Sequence, residues 1–147
     1  MTNASAQPSL PERAATYADA LLRLTAGLLL TPHGAQKLFG WFGGAGLEAS
    51  GQMFHAKMGL PPWLALTAGL IEFFGGLMLA LGLATRFVAL LIAGMMFFIV
   101  VAVHWPAGLF APKGGFEFPL LWGVVALTYV ARGGGHCSLD ALVARRR

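Results

Sequence analysis

Residues 62–104 read PWLALTAGLIEFFGGLMLALGLATRFVALLIAGMMFFIVVAVH, and this stretch decides the fold. It holds two apolar runs, about Pro62 to Ala84 and Phe87 to His104, divided by Thr85-Arg86. The first run carries one charge, Glu72, near its middle, and the second carries none. A helix needs about 20 residues, at roughly 1.5 Å each, to cross about 30 Å of hydrocarbon. Both runs meet that length, and so short a divider forces an antiparallel hairpin.

Two further runs flank this hairpin. One extends from about Ala18 to Phe39 and includes Arg23, His33 and Lys37; the other, about Phe116 to Ala131, is shorter and opens with Glu117. The whole chain of 147 residues is 57% hydrophobic and only 11% charged. Soluble domains carry roughly 25% charged residues, and a soluble chain of this size could not hide so much apolar surface. Disorder is excluded by the same composition. The expectation is an all-α membrane protein: an antiparallel bundle of four transmembrane helices occupying 17–134.

Residues 1–16 are expected to form a disordered cytoplasmic tail and 135–147 a basic cytoplasmic tail. No cleaved signal peptide is read, because the apolar run starts too far in and no basic cluster opens the chain. Between Gly40 and Pro61, Leu47, Phe54 and Met58, with Gly51 on the same line, recur at spacings of seven and four. That pattern predicts a short helix lying in the membrane interface within the first outer loop. Lys and Arg placement sets the orientation. With both termini inside, the inner side holds Arg13, Arg23, Arg86, Arg132, Arg145, Arg146 and Arg147, against Lys37, Lys57 and Lys113 outside. Trp41, Trp63 and Trp105 then fall at the outer boundary. The basic tail faces anionic lipid, so no nucleic-acid partner is needed to explain it.

Ionisable groups inside a bilayer are expensive, and each asks for a reason. By the helical rise, Glu72 lies roughly 15 Å below the outer end of its span and His33 roughly 9 Å below the end of its own. Lys37 sits one turn above His33 on the same face. With His104 and Glu117 at the outer ends of the third and fourth spans, five groups converge on the outer half of the bundle. They are read as a ligand pocket or proton relay. The competing reading is that Glu72 pairs with His33 or Lys37 merely to fix the bundle, while His104 and Glu117 are interface residues. Arg23, at the opposite end, is expected to snorkel. Ala68, Glu72, Gly76 and Ala80 recur every four residues, a small-residue stripe that turns Glu72 toward protein. Gly27 and Gly34 give the first span a similar line, and Pro32 is placed to kink it beside His33.

The single Cys137 excludes a thiol relay within this chain. A two-His haem from His33 and His104 is disfavoured by their difference in depth, and Met95 and Met96 are read as core or lipid-facing residues. No metal site, phosphate loop or serine-type nucleophile is visible.

Ordered anchors run through most of the chain: Arg23 and Gly27, then Gly34-Ala35-Gln36-Lys37-Leu38, then Gly59-Leu60-Pro61. Glu72-Phe73-Phe74-Gly75-Gly76, Leu81-Gly82-Leu83-Ala84-Thr85-Arg86, and Gly133-Gly134-Gly135 leading to Ser138-Leu139-Asp140 continue the series. In order and spacing this resembles the DoxX family, over about Tyr17 to Asp140. The resemblance implies a four-span bacterial inner-membrane protein. A related branch supplies the membrane part of an archaeal thiosulfate:quinone oxidoreductase, and other members are linked to membrane redox complexes and oxidative stress. Arg23, Lys37, Glu72 and Arg86 match the family's polar anchors, and Arg23 and Arg86 are read as structural charge anchors; His33 is not carried over. Two functions are therefore weighed. One is a membrane subunit or scaffold of a redox-related complex, with a soluble or membrane oxidoreductase partner or a homo-oligomer. The other is a quinone-binding subunit or small-solute binder using the outer pocket.

Overall fold

The computed structural model describes residues 9–146, and among these every regular element is helical. Helix α1 spans Leu10–Phe39. Its start is written in the sequence: the Glu12 carboxylate accepts hydrogen bonds from the Ser9 N–H (2.7 Å) and hydroxyl (2.8 Å), with Pro11 in the first turn. This places residues 10–16 in a helix rather than in the expected disordered tail; residues 1–8 lie outside the described residues. Pro32 sits inside α1 without ending it.

Helix α2 fills Gly46–Met58. Helix α3 runs Trp63–Leu81 and α4 runs Thr85–Ala107. Each contains one wide π-helical turn, Ile71–Gly75 in α3 and Val100–His104 in α4. Helix α5 spans Glu117–Arg132 and the short α6 spans Leu139–Ala144. Among the described residues, α3 and α4 are the helices that combine the length and the apolarity needed to cross a membrane. α1 has the length but carries more charge, and α5 has 16 residues.

Two pairings build the bundle: α1 lies along α3, and α4 along α5. The first is a backbone-to-backbone approach. A Cβ on Gly27 would collide with the Gly76 carbonyl, and one on Gly34 with the backbone of Phe73. The facing stripe of Ala68, Glu72, Gly76 and Ala80 is buried. Small residues let helices come close enough for dispersion to accumulate, which matters where no hydrophobic drive separates helix from lipid. Between the pairs, Leu30, Leu79, Ala89, Ile92, Met96, Ala126 and Tyr129 close the core.

Gly34→Leu is expected to separate α1 from α3 and lower stability by at least about 1–3 kcal/mol, the usual cost of overpacking. Gly94 faces open space, so Gly94→Ala serves as the silent control. Equal melting temperatures for the two variants in detergent would contradict the close approach.

Candidate functional site

The ionisable residues sort to two ends of the bundle. At the end bearing α2, a cavity of about 670 Å³ opens between α1, α2, α3, α4 and α5. Its walls are largely apolar, including Leu30, Phe54, Met58, Met95, Ile99 and Trp122. Four ionisable side chains reach it: His33, Lys37, Glu72 and His104.

Lys37 and Glu72 form an ion pair, Nζ to Oε2 at 2.6 Å. Glu72 is buried, at 5% exposure, because the small-residue stripe directs it toward α1. The pairing joins Glu72 to Lys37, while His33 contributes its backbone carbonyl, which accepts from Lys37 Nζ at 3.4 Å. An ammonium has three N–H groups, so one remains for a ligand. The π turn at Ile71–Gly75 surrounds Glu72, and the second π turn ends at His104. Such turns widen a helix and recur at functional sites. They left no signal in the periodicity that placed the spans.

The His104 side chain bonds through Nδ1 to the Gly114 carbonyl at 2.6 Å. Glu117 stands apart from the cavity walls: its Oε1 accepts from the Ala111 N–H at 2.7 Å and holds the α4–α5 loop. Backbone bonds from Phe116 to Gly108 and from Glu117 to Leu109 stiffen the same loop.

The other end is built on Arg23, which is 2% exposed. It does not snorkel out. Its guanidinium donates to the carbonyls of Leu79 (2.7 Å) and Ala80 (2.6 Å), in the last turn of α3, and to that of Cys137 (2.6 Å). A cation there answers the negative end of the helix dipole and satisfies orphan carbonyls. Asp140 does the converse at the start of α4. It accepts from the N–H groups of Ala84 (2.7 Å) and Thr85 (2.9 Å) and from the Thr85 hydroxyl (2.7 Å). The Asp140 N–H in turn donates to the Gly82 carbonyl. The C-terminal segment read as a basic tail thus docks through Cys137 and Asp140 as a clasp on the α3–α4 turn. Sequence reading counted Asp140 only as part of a family motif and gave Asp19 and Tyr129 no role. Asp19 pairs with Arg132 at 3.3 Å, and its carbonyl accepts from the fully buried Tyr129 hydroxyl at 2.9 Å. Arg86 is exposed and holds no ion pair among the described residues.

A small helical bundle with a polar-footed apolar cavity defines a class of membrane-type helical proteins. Comparison with known proteins narrows it. The DoxX family model matches residues 18–105, and the chain belongs to the DoxX family. It is 30% identical over 123 residues to a Bacillus subtilis (strain 168) protein named "Putative oxidoreductase CatD", covering 84% of each chain. It is also 30% identical over 132 residues to a Haemophilus influenzae protein named "Uncharacterized protein", covering 88% of this chain and 92% of that one. No solved structure matches it.

The clasp makes a pH prediction. Burial raises the Asp140 carboxyl, but bonds from the Thr85 hydroxyl and the Thr85 and Ala84 N–H groups, with Arg23 nearby, outweigh it and hold the group below the ordinary carboxylate range. A depressed folded-state pKa contributes stability above the unfolded value, and that contribution is lost as pH falls through the folded value. The melting-temperature gap between wild type and Asp140→Asn should therefore be full at neutral pH and narrow on acidification. A gap that is constant or widens at low pH would contradict the clasp.

Proposed function

We propose that this chain is a bacterial inner-membrane protein in which α1, α3, α4 and α5 all cross the bilayer, with both termini cytoplasmic. Its outer-half cavity binds the ring of a lipid-soluble quinone for a redox complex. Exposed Leu28, Leu70, Leu90 and Leu121 on the outward faces of these four helices support the multi-pass reading. At roughly 1.5 Å per residue α5 reaches about 24 Å, a shortfall that local thinning of the bilayer accommodates at modest cost. The α2 helix then lies at the outer interface, beside Trp41, Trp63 and Trp105.

One observation carries the ligand reading: the Lys37–Glu72 pair, its carboxylate buried and its ammonium partly exposed, forms part of the wall of a large apolar cavity. About 670 Å³ lies inside the roughly 300–1,000 Å³ range of small-molecule sites, and an apolar lining with a few convergent polar groups is their usual character. A quinone would supply two-electron, two-proton carriage between a partner oxidoreductase and the membrane pool. The protein's part is positional. Lys37 offers its remaining N–H to a ring oxygen, Glu72 holds a proton-exchanging carboxyl beside it, and Phe54, Met58 and Ile99 keep water out. The word oxidoreductase in the name of the Bacillus relative agrees with this reading. A scaffold role is the second reading, favoured by the Arg23 and Asp140 bonds, which fix the far end of the bundle without any ligand.

Purified protein in detergent should bind a short-tail benzoquinone saturably, with quenching of Trp122. Lys37→Met should weaken that binding at least about tenfold, the effect of losing a charge-assisted hydrogen bond. Absence of saturable quenching would sink the ligand reading. Orientation has a separate test. In a Cys137→Ser background, a cysteine replacing Glu48 should react with an impermeant reagent from outside intact cells; labelling only from the cytoplasmic face would reverse the topology.

A further inference from the structure

The hydrogen bond that His104 makes bears on the redox form a quinone-class ligand would take in the cavity. A carbonyl oxygen only accepts hydrogen bonds. The 2.6 Å contact between Nδ1 and the Gly114 carbonyl therefore places the proton on Nδ1. The loop that presents this carbonyl is pinned by Glu117 on Ala111 and by backbone bonds to Gly108 and Leu109, so the carbonyl is a fixed feature of the ring's surroundings. Neither ion pair among the described residues involves His104. In the neutral ring, Nε2 is left as a bare lone pair on the opposite edge of a side chain that lines the cavity.

We propose, building on the quinone-class reading, that the cavity binds a hydroquinone in preference to the corresponding quinone, through a phenolic O–H donated to His104 Nε2. A quinone presents only carbonyl oxygens. One of them can meet Lys37, but a second facing Nε2 would set lone pair against lone pair. A hydroquinone carries hydrogens on both oxygens. It can donate to His104 and, at the other polar group, accept from the spare Lys37 N–H or donate to the Glu72 carboxylate. The oxidised form leaves an acceptor without a donor, and a buried polar group left unpaired is penalised more than a made bond is rewarded. Preferential binding of the reduced form also raises the potential of the bound couple. For two electrons a tenfold preference shifts it by about 30 mV, which favours electron flow from a partner into the site.

The experiment titrates wild-type protein anaerobically with a short-tail benzoquinone and, separately, with its chemically reduced hydroquinone, reading Trp122 quenching. The hydroquinone should bind about tenfold tighter. His104→Asn keeps a donor at the position of Nδ1 and has no atom at that of Nε2. It should lose the preference, weakening hydroquinone binding and, by removing the facing lone pair, tightening quinone binding. His104→Gln, whose amide oxygen reaches the Nε2 position, should restore part of the preference. Equal or tighter binding of the quinone to the wild type would overturn the inference and leave the quinone-class reading standing. Binding of neither form would overturn both. An undiminished preference in a folded His104→Asn protein would also overturn the inference. The wild-type ratio alone decides the matter if that variant does not fold.

Discussion

A carboxylate midway along an apolar helix constrains everything near it. Glu72 cannot face hydrocarbon without a cost of several kcal/mol. It is buried instead against α1, where Lys37 meets it at 2.6 Å. That meeting requires α1 and α3 to lie almost backbone to backbone, which explains glycine at positions 27, 34 and 76 and alanine at 68 and 80. It also coincides with a π turn, which shifts the register of α3 at the residue that carries the charge. Packing, register and electrostatics at this crossing are one solution to one problem.

The far end of the bundle solves a different problem with the same physics. A tight α3–α4 turn leaves orphan carbonyls at the end of one helix and orphan N–H groups at the start of the next. Arg23 reaches the carbonyls from α1 and Asp140 reaches the N–H groups from α6. Each charge faces the helix terminus of opposite sign. Arg23 also binds the Cys137 carbonyl, so first helix, central hairpin and C-terminal clasp are tied at one point. The cavity end is consequently free to carry an opening, because the bundle is held shut elsewhere.

How much of this the sequence reveals depends on the kind of signal. Hydropathy finds the apolar helices, and the seven-and-four spacing of Leu47, Phe54 and Met58 finds α2. The four-residue stripe finds the buried face of Glu72. Counting rise along the helices puts His33, Lys37, Glu72 and His104 in one region, and all four line one cavity. What periodicity cannot carry is hydrogen-bond geometry. Glu117 has the right position and charge for the cavity but bonds to the Ala111 N–H instead. Arg23 has the stem length to snorkel, yet the helix terminus beside it offers bare carbonyls. Asp140, in a polar tail, reveals its role only when the chain folds back to the Ala84–Thr85 turn. The start of α1, capped by Ser9 and Glu12, is missed because the polarity of that segment points to disorder.

The central claim is that the Lys37–Glu72 pair is kept for what it binds, since replacing a buried ion pair by apolar residues of similar size is often neutral or stabilising. The direct measurement compares wild type with the double variant Lys37→Met, Glu72→Leu, following thermal stability and benzoquinone binding on the same preparations. The account predicts a melting temperature at or above wild type together with loss of saturable binding. A double variant that binds the quinone as the wild type does, or that unfolds at markedly lower temperature, would contradict it.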